Sequence, residues 1–121
     1  MNESPPAPAQ VERIYEIAAE LFSLMSTPMR LKIISALCNG EKSVGELLAE
    51  IATTQPNMSQ HLSQLYRAGI LARRREGQSI YYRVQNERAV ALCRAVCTQI
   101  AIEIDDPEAT HPADRLILPR T

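Results

Sequence analysis

The sequence predicts a mainly α domain interrupted by one β-hairpin, and three observations predict it. Apolar residues recur at helical spacing before residue 69 and again after residue 86. Between them, Ile70–Arg75 and Ser79–Val84 are strand-like runs separated by Glu76-Gly77-Gln78, with glycine where a hairpin turn wants one. Residues suited to opening a helix (Thr27-Pro28, Ser43, Thr54, Asn86) precede the later helical stretches.

Taken in order, the first helix places Val11, Tyr15, Ala18, Ala19, Phe22 and Met25 on one apolar face. Thr27-Pro28 opens a second helix with Leu31, Ile34, Leu37 and Cys38 on one side, and Asn39-Gly40 stops it. Ser43-Val44-Gly45-Glu46 resembles a capping box opening a third helix, Val44 to about Ala52. The Thr53-Thr54 turn leads into a fourth. Thr54 serves as its N-cap, Pro56 fits the first turn, where no N–H is needed, and Gly69 caps its end. Met58, Leu62 and Leu65 form its buried stripe. After the hairpin, Asn86 caps a last helix to about Ile104. Third and fourth helices make a helix-turn-helix, and the hairpin that follows is a wing: the fold class is a winged helix-turn-helix.

The 121 residues suit one domain. Six of the eight prolines lie near the ends, so residues 1–9 are expected to be a disordered tail, 10–104 the winged-helix and dimerisation domain, and 105–121 a Pro-rich tail. A core this small gains from dimerisation, which buries more apolar surface. No apolar run is long enough for a membrane span, and the acidic, Pro-rich start is not a secretory signal. Three cysteines make no small disulfide framework, which points to the cytoplasm and reduced thiols. No cofactor and no metal is expected.

The fourth helix points to nucleic acid. Its outer face offers Gln55, Asn57, Ser59, Gln60, Ser63 and Gln64, uncharged groups where a merely solvated face would carry Glu and Lys. Amide side chains pair with adenine edges in the major groove, and serine donates or accepts. In the wing, Arg73, Arg74, Arg75 and Arg83 are placed to meet phosphates or enter the minor groove. Residues 55–85 hold five Arg against one Glu, while the chain as a whole carries a net charge of −1. The basic patch is therefore local, and it is the patch that a polyanion meets. An Arg-rich hairpin is also a way to protect a solvated sheet edge, but here it follows a polar-faced helix in the order DNA binding needs.

Catalysis finds no support. A nucleophilic Cys needs a base, and the two histidines are His61, on the DNA-facing helix, and His111, in the C-terminal tail. With no second histidine nearby, His61 is expected to hydrogen-bond or pack rather than ligate a metal. Tyr81 and Tyr82 point to opposite faces of a strand, so one is core and the other exposed.

Four blocks, TPMRLKIISAL, GEKSVGELLAEI, QPNMSQHLSQLYRAGIL and RREGQSIYYRV, resemble the ArsR/SmtB family of winged-helix repressors, over about residues 12–104. The resemblance implies a homodimer joined by the first and last helices. It implies binding to double-stranded DNA at an imperfect inverted repeat in a promoter, with an inducer that lowers DNA affinity. It implies base contacts from Gln55, Ser59 and Gln60, and wing contacts from Gln78, Arg74 and Arg75. The zinc- and nickel-sensing pattern is absent, because the last helix contains no His. The arsenic-type Cys-Val-Cys on the third helix is absent too.

Cys38, Cys93 and Cys97 remain as sensor candidates. Val90, Cys93, Cys97, Ile100 and Ile104 step along one heptad-like seam, and Cys38 shares the Leu31–Ile34 face. Buried cysteines also serve simply as small hydrophobes. The family branch that senses reactive sulfur or oxidants, which this chain resembles most, links one Cys of the second helix with one of the last. Here Cys38 stands about a turn later than that first Cys, at whose place is Ser35. Cys97 stands about a turn earlier than the second, at whose place is Ala101. Antiparallel packing of the two helices would compensate these shifts. The three sulfurs could instead meet a soft metalloid such as arsenite. Reactive sulfur, metalloid and plain packing thus stay open.

Overall fold

The computed structural model describes residues 4, 5 and 7–105. The segment from 106 onward, with His111 and Leu116-Ile117-Leu118, lies outside the described residues, as do residues 1–3 and 6. The elements are α1 (Pro8–Leu24), α2 (Pro28–Leu37), β1 (Lys42–Ser43), α3 (Val44–Glu50), α4 (Gln55–Arg67), β2 (Leu71–Glu76), β3 (Ser79–Val84) and α5 (Glu87–Asp105). This is the winged helix-turn-helix expected, with one short strand added.

Each helix start has a local cause. Pro8 opens α1, so the helix reaches into the 1–9 segment expected to be disordered; proline at a first turn forgoes no hydrogen bond and its φ is preset. The Thr27 hydroxyl accepts the Arg30 amide at 3.1 Å and opens α2. Ser43 and Glu46 form the reciprocal capping box, at 3.1 and 2.8 Å. The Thr54 hydroxyl accepts the Asn57 amide at 3.2 Å, and Asn86 Oδ1 accepts the Arg88 amide at 3.0 Å.

Boundaries shift where burial outweighs propensity. The third helix stops at Glu50, short of Ala52, because Ile51 turns extended and enters the core. The first wing strand starts at Leu71, because the Ile70 amide is held by the Leu65 carbonyl at 3.0 Å. It also gains Glu76, which pairs with Ser79. The turn thus contracts to Gly77-Gln78, and Gly77 takes φ +63°, a conformation costly for other residues.

β1, β3 and β2 form an antiparallel sheet in that order, with Ser43 opposite Tyr81 and Arg73 opposite Tyr82. The core gathers Ile33, Ile34 and Leu37 of α2, Leu47 of α3, Met58, Leu62 and Leu65 of α4, Leu71 and Tyr82 of the wing, and Ala89 and Cys93 of α5. This core seats the outer face of α4 away from the rest of the domain. Helix α1 contributes no buried residue. Of its expected apolar face, Tyr15 is 68% and Phe22 56% exposed, and only Met25, just past the helix end, is buried. No helix among the described residues is long and apolar enough to cross a membrane.

Candidate nucleic-acid interface and thiol pair

The buried stripe of α4 fixes what its opposite face presents. Gln55, Ser59 and Gln60 are exposed, as a reading face requires. Ser63 is half-buried. Asn57 is half-buried as well, and its side-chain amide donates to Thr53 Oγ1 at 2.9 Å. One amide N–H of Asn57 is thus engaged in the turn of the helix-turn-helix, and Asn57 helps to shape that turn.

Of the four wing arginines, Arg83 is exposed and borders a cavity beside Glu41 and Cys38, and the other three do different things. The Arg73 guanidinium stacks over the Tyr66 ring, 4.0 Å from its centroid, and reaches the Tyr82 hydroxyl at 3.5 Å. Arg73 thereby ties the wing to the end of α4. These contacts, the Tyr82 hydroxyl foremost, favour its charged form further. Arg74 lies 4.7 Å over Tyr81, forks onto Glu41 and donates to Glu76 at 2.6 Å. Arg74 accordingly holds Glu41 ionised, pushing that carboxyl below its usual range. Arg74, expected to contact DNA, anchors the wing to the loop before β1 in the single chain. Arg75 and Gln78 project from the hairpin exposed, with no partner among the described residues. Tyr82 is the core tyrosine of the pair and Tyr81 is half-buried under Arg74.

The sequence did not mark Arg30. From the first turn of α2, its Nε donates to His61 Nδ1 at 3.1 Å and its Nη1 to the Leu24 carbonyl at 3.0 Å. Its Nη2 donates to Gln64 Oε1. One guanidinium thus joins the end of α1 and the start of α2 to two side chains of α4. Burial, and then the field of Arg30, disfavour the charged imidazole of His61. His61 is the hydrogen-bonding residue expected. Gln64, counted with the outer face, is turned inward to Arg30.

The thiols fall into two groups. The Cys93 thiol is buried, donates to the Leu31 carbonyl at 3.8 Å and stands 3.9 Å from the Cys97 sulfur. Burial first, and then Cys97, push the Cys93 thiol up to about 11. Cys97 is exposed, the seam's one cysteine not turned inward in the single chain. With Cys93, Phe22, Met25, Leu31 and Val96 it lines a small apolar cavity of about 190 Å³. Cys38 is half-buried and lines a separate cavity, about 710 Å³, with Arg83, Val90 and Arg94. α2 and α5 run antiparallel, with Cys93 level with Leu31 and Cys38 beside Val90 and Arg94. Cys38 and Cys97 make no contact with each other in the single chain, although Cys97 also borders Ser35 and Ala36 of α2. Among the described residues no group of three or more His, Cys, Asp or Glu is gathered for a metal.

Residues 27–73, spanning α2 through the start of the wing, match the family described as bacterial regulatory protein, arsR family. The biofilm growth-associated repressor of Agrobacterium fabrum is 41% identical over 91 residues, 75% of this chain and 77% of that protein. The crystal structure of the transcriptional repressor BigR from Xylella fastidiosa superposes with a TM-score of 0.71 at 35% identity, covering 78% of this chain and 96% of that one. HlyU from Vibrio cholerae superposes with a TM-score of 0.69 at 30% identity, covering 74% and 98%.

Proposed function

The chain belongs to the arsR family of bacterial regulatory proteins, and on that premise we propose that it is a DNA-binding transcriptional repressor, not an enzyme, released from its operator by thiol chemistry. The observation that carries the DNA reading is the exposed, uncharged face of α4 beside the free wing tip. Gln55, Ser59 and Gln60 read base edges in the major groove, Ser63 supports them from the rim, and Arg75 and Gln78 meet the adjacent backbone. Arg73 and Arg74 hold the wing in place for that contact. Asn57 sets the turn before the reading face.

The active species in this proposal is a cytoplasmic homodimer on a promoter inverted repeat. The exposed Ile14, Tyr15 and Phe22 of α1 and Ile102 and Ile104 of α5 support it, since one chain alone leaves these apolar groups in water. A two-fold dimer presents two α4 helices to two half-sites.

The 3.9 Å approach of Cys93 and Cys97 supports the thiol reading and moves its centre from the Cys38–Cys97 pair to this one. A direct S–S bond of about 2.05 Å would pull the helix inward, whereas one inserted sulfur spans about 3.3 Å. Polysulfide therefore suits the pair. The exposed Cys97 takes a sulfur to become a persulfide, and the shortened polysulfide leaves. A second sulfur is added in the same way, another shortened polysulfide leaving. The Cys93 thiolate then attacks the sulfur bonded to that of Cys97, the bond to the terminal sulfur breaks, and that sulfur departs as sulfide, closing a trisulfide. The bridge breaks the Cys93 contact with Leu31 and so disturbs the packing of α5 on α2. The same two sulfurs favour a second reading, capture of a thiophilic metalloid such as arsenite, with Cys38 as a third donor after rearrangement.

Binding to a duplex selected by the protein from a random library tests the proposal. Gln60→Ala is expected to relax sequence preference by about 1–3 kcal/mol. Unchanged preference in Gln55→Ala, Ser59→Ala and Gln60→Ala alike would overturn the assignment of the reading face.

A further inference from the structure

Arg30 and His61 are joined across 31 residues by a hydrogen bond whose direction constrains the imidazole: Nε of Arg30 donates, so Nδ1 of His61 must be without a proton. Protonation would replace this acceptor with a second donor facing a guanidinium, and the contact would become repulsive. The consequence reaches beyond His61. The same guanidinium also holds Gln64, one turn further along α4, and the Leu24 carbonyl at the end of α1. Loss of the His61 contact leaves α4 tethered at one side chain instead of two. Exposed residues Ser59 and Gln60 stand immediately before His61, on the face proposed to read bases.

We propose that Arg30 is a positioning residue for DNA reading, which sets the seat of α4 against α1 and α2 through His61 and Gln64 only while His61 is neutral. The charged group bearing on the imidazole is Arg30, from α2. The other groups at the Arg30 fork, Gln64 of α4 and the Leu24 carbonyl of α1, do not titrate. The sign follows. His61 binds its proton less readily in the folded chain than in the unfolded one. The contact is therefore intact above the ordinary imidazole range and is lost as the pH falls through and below it. Acidification weakens sequence-specific binding. A histidine acting only as a nearby charge would do the opposite, since its protonation adds a positive charge facing phosphates.

The inference rests on α4 being the reading helix, and the test separates the two. Affinity of the full chain for its selected duplex is measured by fluorescence anisotropy at fixed ionic strength, from about pH 7.5 to about pH 5.5. Wild type, His61→Asn, Arg30→Lys and Gln60→Ala are compared. Asparagine keeps an acceptor that does not titrate. The wild type is expected to lose about tenfold in affinity over this range, and His61→Asn to bind normally at the upper pH and stay flat. Arg30→Lys, which keeps the charge but not the fork, is expected to bind several-fold more weakly at the upper pH with a smaller pH step. A His61→Asn chain that retains the wild-type step, or a wild type that binds more tightly in acid, overturns the proposal. Should Arg30→Lys fail to fold, His61→Asn still decides. If Gln60→Ala changes base preference while His61→Asn keeps the wild-type step, the reading face stands and Arg30's role fails. If Gln60→Ala changes nothing and neither does His61→Asn, both fall.

Discussion

The guanidinium of Arg73 stands 4.0 Å over the ring of Tyr66, binding the wing to the last turn of the helix it follows. An exposed cation–π contact of this kind is worth about 0.5–1 kcal/mol. Its larger effect is geometric, because it fixes where the hairpin tip lies relative to α4. Tyr66→Ala is expected to weaken binding to all sequences about threefold, while Tyr66→Phe keeps the ring and the affinity. Anisotropy titrations of both variants check this; equal losses in the two would point to the hydroxyl instead.

Arg74 and Arg75 are adjacent in sequence and opposite in circumstance, one held by Glu41 and the other without a side-chain partner among the described residues. Arg75→Ala is expected to reduce the slope of log K against log salt by about one. Glu41→Gln is expected to release Arg74, loosen the wing and weaken binding to any duplex. The Glu41 carboxyl is held below its ordinary range, so the anchor is complete above that range and is lost as the pH falls below it. A salt slope unaltered by Arg75→Ala would remove the wing tip from the interface.

Stability resides elsewhere, in the fully buried stripe of α4. Leu62→Ala is expected to cost about 2–5 kcal/mol, and Ser43→Ala, which removes the capping box of α3, about 1 kcal/mol. Urea unfolding measures both, and a Leu62→Ala effect below that of Ser43→Ala would contradict the packing described.

The two α5 thiols differ in access. Cys97 is exposed, whereas Cys93 is buried with its pKa raised to about 11. Since the fold favours the protonated Cys93 thiol, its contribution to stability is present below the ordinary thiol range and lost as pH rises toward that raised value. In native protein at about pH 8, iodoacetamide is expected to label Cys97 well before Cys93, with the difference vanishing in denaturant. Peptide mass mapping over time reads the order, and equal native rates would refute it.

Much of this was legible in the sequence because it is local. Thr27, Ser43, Thr54 and Asn86 each cap the helix they precede, and the 58-62-65 stripe is buried as its period demands. What the sequence hid is long-range. Arg30 meets His61 and Gln64 across more than 30 residues, and Glu41 meets Arg74 across a similar span. No periodicity marks such pairs. β1 has only two residues, too short for an alternation to register, and exists because β3 offers it an edge. The cysteine register was hidden for a related reason: helical period tells which face Cys93 and Cys97 share, but not which residue of α2 lies opposite. Packing decided that, by setting Cys93 against Leu31.

In the proposed mechanism the repressor reads DNA with α4 and lets go when its α5 thiols are bridged. The most direct measurement is binding of the reduced protein to its selected duplex before and after polysulfide, with intact mass and peptide mapping on each sample. Tight, salt-sensitive binding is expected when reduced, and a loss of several-fold to about a hundredfold when sulfur bridges Cys93 and Cys97. Undiminished binding by protein carrying that bridge would contradict it.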